Sequence, residues 1–107
     1  MKLTGKAKEE FEKWFVESYK NEINYGRVPM PSTLDRYIPS MQYGVYVDFF
    51  DSVGVEVDIT PQRKFYEYQV SWSDSDYKYD RTSKKDRQEA REQAIKKANE
   101  IFNNRIE

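Results

Sequence analysis

Alanine recurs at positions 90, 94 and 98 near the C-terminus. Ile95, Ile101 and Phe102 join it to make one stripe at helical spacing. Small residues along a buried stripe let a helix axis come close to its neighbour, so the facing surface has to supply the bulk. That bulk lies upstream, where aromatic and β-branched residues alternate with polar ones. The constraint is therefore a long alanine-lined helix laid on a sheet that is apolar on one side only.

Strands are predicted from that alternation. Tyr43-Gly44-Val45-Tyr46-Val47-Asp48-Phe49-Phe50 reads as the first, with Tyr43, Val45, Val47 and Phe49 on one face. Asp51-Ser52-Val53-Gly54 is the next turn. Val55-Glu56-Val57-Asp58-Ile59 follows, three β-branched residues in and two acids out. After the turn Thr60-Pro61-Gln62-Arg63 comes Phe65–Trp72, with Tyr66, Tyr68, Val70 and Trp72 as its apolar side. Ser73-Asp74-Ser75-Asp76 turns again, and Tyr77-Lys78-Tyr79-Asp80 makes a short edge strand blunted by charge. Turns at this spacing indicate an antiparallel meander.

Helices are expected at both ends. Thr4 stands at an N-cap position, and Ala7, Phe11, Trp14, Phe15 and Tyr19 follow at helical spacing, with stop signals across Asn21–Gly26. Ser32–Ile38, between prolines, forms one short helical turn capped by Ser32 and anchored by Leu34, Tyr37 and Ile38. Thr82 or Ser83 caps the last helix, with Asp86 three residues after Ser83. The expected fold class is α+β: an N-terminal helix, an antiparallel three- to four-stranded meander and a long C-terminal helix, both helices on one sheet face. Residues 1–107 make a single α+β domain. Its expected core is Val45, Val47, Val55, Val57, Tyr68, Val70, Trp72, Ala94, Ala98 and Phe102.

Composition restricts the chemistry. The chain has neither cysteine nor histidine. Disulfides, thiolate chemistry, the Ser–His pairing and the commonest metal ligand are thereby excluded. Net charge is −1, so no global field draws the chain to nucleic acid or to a membrane. No apolar leader follows the charged start, and no run reaches the roughly 18 apolar residues of a membrane span. The expected location is cytoplasmic, as a monomer or homodimer, with no cofactor and no membrane partner.

Three groups of residues carry candidate chemistry. Asp74-Ser75-Asp76 with Asp80 approaches a calcium loop, but Lys78 and Tyr79 stand where the loop needs a ligand and a glycine. The acids Asp48, Asp51, Glu56 and Asp58 fall on neighbouring predicted strands, where paired carboxylates can hold Mg²⁺. The expectation is a solvated polar face, since no partner base or nucleophile motif accompanies them. No metal site and no catalytic residue is assigned. Third, Arg81, Ser83, Lys84, Lys85 and Arg87 open the predicted last helix, bringing basic side chains, hydroxyls and free backbone N–H groups to one place that suits a phosphate.

Two resemblances follow from these residues. The element order, with Ser83-Lys84-Lys85 and the later Ala94-Ile95-Lys96-Lys97-Ala98, resembles double-stranded-RNA-binding domains. Here Arg87-Gln88 stands where that family carries Ala-Lys, and no Gly-Pro-x-His loop is present. Phe50-Asp51-Ser52-Val53-Gly54-Val55, Arg87-Gln88-Glu89-Ala90 and the run Ala94–Asn103 resemble a group of small proteins encoded by phages and mobile elements of gut bacteria. That second resemblance implies an accessory, host-interacting role in the host cytoplasm and transfers no functional residues.

The expectation for function is a non-enzymatic accessory protein that binds a host macromolecule, a protein first, in the manner of an inhibitor of a host defence or nucleic-acid enzyme. Its contact surface would be the acidic, tyrosine-bearing sheet, through Tyr46, Asp48, Phe50, Asp51, Glu56, Asp58 and Glu67. The alternative is a nucleic-acid-binding module using Arg81, Ser83, Lys84, Lys85 and Arg87.

Overall fold

The computed structural model describes residues 2–24, 26, 34, 37–73 and 77–106. In chain order these form α1 (Gly5–Ser18), α2 (Lys20–Asn24), α3 (Pro39–Ser52), β1 (Val55–Pro61), β2 (Tyr66–Ser73), β3 (Tyr77–Lys84) and α4 (Arg87–Ile106). The three strands make one antiparallel sheet in the order β1-β2-β3. The α+β class, with an N-terminal helix, a three-stranded antiparallel sheet and a long C-terminal helix packed on it, is as expected.

Strand pairing follows from the alternation. Val55 pairs with Trp72, Val57 with Val70 and Ile59 with Tyr68. Directly opposite residues share a face, so these six form one apolar surface. Val55 and Val70 are fully buried, with Val57 and Tyr68 close behind, while Ile59 and Trp72 are half-buried. A one-residue slip of β1 against β2 would turn the three apolar residues of the slipped strand to water, so burial of one face is what sets the register.

Onto that face comes α4, touching all three strands, while α3 covers the β1 side. Ala90, Ala94 and Ala98 are each 0% exposed. Their lack of bulk is what allows the close approach anticipated from their spacing. The helix is also buried elsewhere around its circumference, through Ile95, Asn99, Ile101 and Phe102. α1 adds an outer layer on the same side, lying against α3 and α4 and not against the strands.

One predicted strand is a helix. Residues 43–50 belong to α3, which starts with Pro39 in its first turn after an extended Ile38. Proline is well placed there, having a suitable φ and no N–H to leave unpaired. The segment's valines and aromatics fit either structure by propensity. Burial decides it: Gln42, Tyr46, Phe49 and Phe50 are the buried positions, a 3.6-residue period. Val45 and Val47, expected in the core, are only half-buried. Phe49 gains most from the helical alternative, since its ring meets Phe11 at 5.4 Å, Trp14 at 5.6 Å, Phe50 at 5.1 Å and Phe102 at 6.0 Å. These spacings lie in the range where aromatic pairs gain beyond area burial.

The second correction lies at the far end of the sheet. Arg81–Lys84 do not open α4 but complete β3, with Tyr68 opposite Thr82 and Tyr66 opposite Lys84. Thr82 and Ser83 are therefore strand residues. The cap is Asp86: its carboxylate accepts the Gln88 N–H at 2.9 Å, and its carbonyl accepts the Ala90 N–H. At the other end, α4 continues to Ile106. The turn expected at 74–76 lies outside the described residues, as do Ser32, Thr33, Asp35 and Arg36 of the short turn. Of its three apolar anchors only Leu34 is buried; Tyr37 and Ile38 are exposed.

Thr4 sits at the N-cap of α1 without using its side chain as a cap. Two asparagines one turn apart on α4 do the capping instead. Asn99 Oδ1 accepts the Thr4 N–H at 2.9 Å, and Asn103 Oδ1 accepts the Ala7 N–H at 2.8 Å. Asn99 Nδ2 donates to Thr4 Oγ1, and Asn103 Nδ2 to the Thr4 carbonyl. Gly5 lies between them with φ +61, and a Cβ there would stand 3.0 Å from Asn103 Nδ2. Glycine is needed both for the backbone conformation and for the close approach. α1 itself breaks at Tyr19, and α2 carries the chain on to Asn24.

Two stability changes are expected. Ala94→Glu should cost several kcal/mol of a total of about 5–15, because it buries a charge at the helix–sheet contact; urea unfolding should show the domain unfolded or nearly so. Asn103→Ala should lower stability by about 1–3 kcal/mol, since it strands a helix N–H in a partly buried place. Equal urea midpoints for wild type and Asn103→Ala would show that the inter-helix cap adds nothing.

Candidate functional site

The face of the sheet away from the helices is set by the same alternation that builds the core. Glu56 pairs with Ser71, Asp58 with Gln69 and Thr60 with Glu67. These paired positions of β1 and β2 are all polar, and the charged ones among them are all acids. Glu56, Asp58 and Thr60 are exposed, while Glu67 and Gln69 are half-buried. Adjacent same-face positions along a strand are about 7 Å apart. Glu56 and Asp58 are thus close enough to present one negative patch.

Of the residues expected at a protein contact, Glu56, Asp58 and Glu67 come together on this face. Asp48 and Asp51 do not. They lie on the exposed side of α3, in line with Met41 and Gly44 at helical spacing. The carboxylates expected on neighbouring strands are thus divided between a helix and a sheet. Among the described residues, no group of three or more acids stands at metal-holding distance. Tyr46 and Phe50 are core residues, 5% and 0% exposed, and cannot touch a partner. Tyr46 packs its ring 5.0 Å from Phe11. A strand's period turns both side chains outward; the helical period of α3 turns them into the core.

The five residues expected at a phosphate contact are also dispersed. Arg81, Ser83 and Lys84 are in β3, Lys85 is in the following turn, and only Arg87 is in the helix. The helix start already carries the Asp86 carboxylate on the Gln88 N–H. That occupies the donor an anion would want and places a negative charge beside it. Lys84 reaches Glu89 at 4.0 Å. Arg87 lies over the Tyr66 ring, 4.9 Å from its centroid.

A cleft of about 410 Å³ opens where α3, β1 and the first turns of α4 meet, lined by Tyr43, Asp58, Ile59, Pro61, Arg87 and Arg91 among others. Arg91 lies over the Tyr43 ring at 5.4 Å. Burial first, and then the charge of Asp58, push the Tyr43 phenol up to about 12, with Arg91 pulling the other way. Tyr19 is also raised, by burial and by the charges of Asp48 and Glu22. Sequence pattern alone does not reveal the cleft, because Tyr43 reads as a strand residue and Arg91 as part of a solvated helix face. The signal it does offer is the pair Arg87 and Arg91 at i,i+4.

No family model matches the chain, and neither a curated protein nor a solved structure proved similar to it.

The Tyr43 shift has a definite sign. A phenol that holds its proton to higher pH in the fold than in the unfolded chain contributes stability that is intact below the unfolded value of 10.0 and lost as pH rises through about 12. Urea midpoints should therefore fall as pH climbs through that window, and Tyr43→Phe should flatten the fall. The phenolate absorbance of wild type should contain a late-titrating tyrosine that the variant lacks. A difference between the two titration curves centred at the ordinary value of 10.0 would place Tyr43 in open solvent.

Proposed function

We propose that this chain is a non-enzymatic binding protein whose open sheet face docks a basic surface of another protein. The observation that carries the reading is the composition of that face: Glu56 and Asp58 on β1 and Glu67 on β2, paired there with Ser71, Gln69 and Thr60. Charge complementarity of this kind speeds encounter and rejects wrong partners more than it adds raw affinity. The resemblance of Phe50–Val55 and of the last helix to small proteins of phages and mobile elements supports a host protein as the partner. An inhibitor of a nucleic-acid enzyme fits that chemistry, because such enzymes carry basic sites that an acidic face can occupy.

Nucleic acid is the weaker reading. Asp86 occupies the helix start, Lys84 is paired, and the acidic face repels a polyanion. Duplex RNA or DNA should bind no tighter than about 10⁻⁴–10⁻⁶ M at physiological salt, the non-specific range. A mobility shift at nanomolar protein that Lys84→Glu abolishes would reverse the order of the two readings.

The protein reading is tested by capture from a bacterial extract on the immobilised chain, beside the folded double variant Glu56→Lys/Asp58→Lys. A partner held by wild type, released by the charge reversal and weakened by raising the salt is the expected result. A partner retained equally by both proteins would place the contact elsewhere.

A further inference from the structure

We propose that the cleft between α3, β1 and the start of α4 binds a small phosphate monoester, with Arg87 and Arg91 holding the phosphate and Asp58 accepting a hydrogen bond from a hydroxyl or amino group on the ligand's body. This goes beyond the docking face; the two share Asp58, but the arginine variants test the cleft alone.

The arginines set the chemistry. Positions 87 and 91 are one helical turn apart, so both side chains leave α4 on the same side. Each guanidinium lies over a tyrosine ring, Arg87 at 4.9 Å from the Tyr66 centroid and Arg91 at 5.4 Å from the Tyr43 centroid. A guanidinium held over a ring is placed by the ring's electron-rich face and not by an acceptor, which leaves N–H groups to form forked bonds with an anion. Among the described residues, neither arginine has a carboxylate within ion-pair distance. Two cations held in orientation without an anionic partner form a prepared anion site.

The rest of the lining selects among anions. Two guanidiniums against one Asp58 carboxylate leave the cleft net positive. A phosphate monoester, with a charge of about −1.5 to −2 and three acceptor oxygens, can engage both forks, which a carboxylate does less completely. Tyr43 keeps its proton well above neutral pH and so remains a hydrogen-bond donor. Ile59 and Pro61 give an apolar wall for a carbon body, and Asp58 offers an acceptor to a hydroxyl on it. The volume, about 410 Å³, is that of a small-metabolite site.

The test is titration of the ¹⁵N-labelled chain with ribose 5-phosphate, inorganic phosphate and ribose, followed by amide shifts and calorimetry. Ribose 5-phosphate should move resonances at Tyr43, Asp58–Pro61 and Arg87–Arg91 with a dissociation constant below about 1 mM, and the two fragments should each bind about tenfold or more weaker. Arg91→Gln should weaken binding about tenfold, and Arg87→Lys, which keeps charge but loses the fork, several-fold. Thermal unfolding identifies a variant that fails to fold. If Arg91→Gln does so, Arg87→Lys together with the fragment comparison decides the matter. No cleft shifts at about 10 mM of any of the three ligands, or affinity unchanged in both arginine variants, would overturn the proposal. Inorganic phosphate binding as tightly as ribose 5-phosphate would overturn the role given to Asp58 and the apolar wall.

Discussion

The close seat of α4 on the sheet is the contact on which the rest of the molecule depends. Three alanines with no exposed surface bring the helix axis down onto Val55, Val57, Tyr68 and Val70. With α4 that low, its other sides stay within reach of α1 and α3. Asn99 and Asn103 can then serve as caps for a helix nearly a hundred residues earlier in the chain, and Arg105 can donate to the Val53 carbonyl at the α3–β1 turn. One helix thereby ties the two ends of the chain and both layers together. A larger residue at 94 or 98 would lift the axis and loosen all of these contacts at once, because packed interiors transmit such displacements.

What is legible in the sequence divides along physical lines. β1 and β2 are, because a half-buried strand has to alternate and Val55–Ile59 does so without exception. α3 is not, because Tyr43, Val45, Val47 and Phe49 alternate just as well while Gln42, Tyr46, Phe49 and Phe50 keep a helical period. Two periods coexist in one short segment, and local propensity favours the wrong one. The deciding partners, Phe11, Trp14 and Phe102, come from distant parts of the chain. The proline at 39 is the local clue, since it suits a helix start.

The start of α4 escapes sequence reading for a different reason. Thr82, Ser83 and Asp86 all make acceptable caps, and a capping signal does not say which of several will be used. The choice is made by β2, whose full length from Tyr66 to Ser73 pairs with β3 and draws Arg81–Lys84 into the ladder. Every residue so recruited satisfies backbone groups that would otherwise need another partner. The consequence for the expected phosphate contact is large. A helix that starts at Arg87 separates the basic residues from the free N–H groups that gave them a purpose, and it has an acid in the cap.

Folding requires polar residues on the open face of β1 and β2, but it does not require acids. Lysine, threonine or glutamine at 56 and 58 would leave Val55 and Val57 as well buried, and lysine is a common guard on an exposed edge. The absence of any basic residue from these paired outer positions is therefore not a consequence of the fold. The same holds for Arg87 and Arg91, which pack on tyrosines where uncharged chains would also pack. A net charge of −1 conceals this sorting, in which the acids of β1 and β2 take the outer positions, with Arg81 beyond them opposite Gln69, and Arg87 and Arg91 line one cleft. Asp58 is where the two meet: it pairs with Gln69 on the open face and its charge reaches Tyr43 in the cleft. Charges whose sign stability leaves open, sorted by place, are the part of this sequence that binding explains better than folding does.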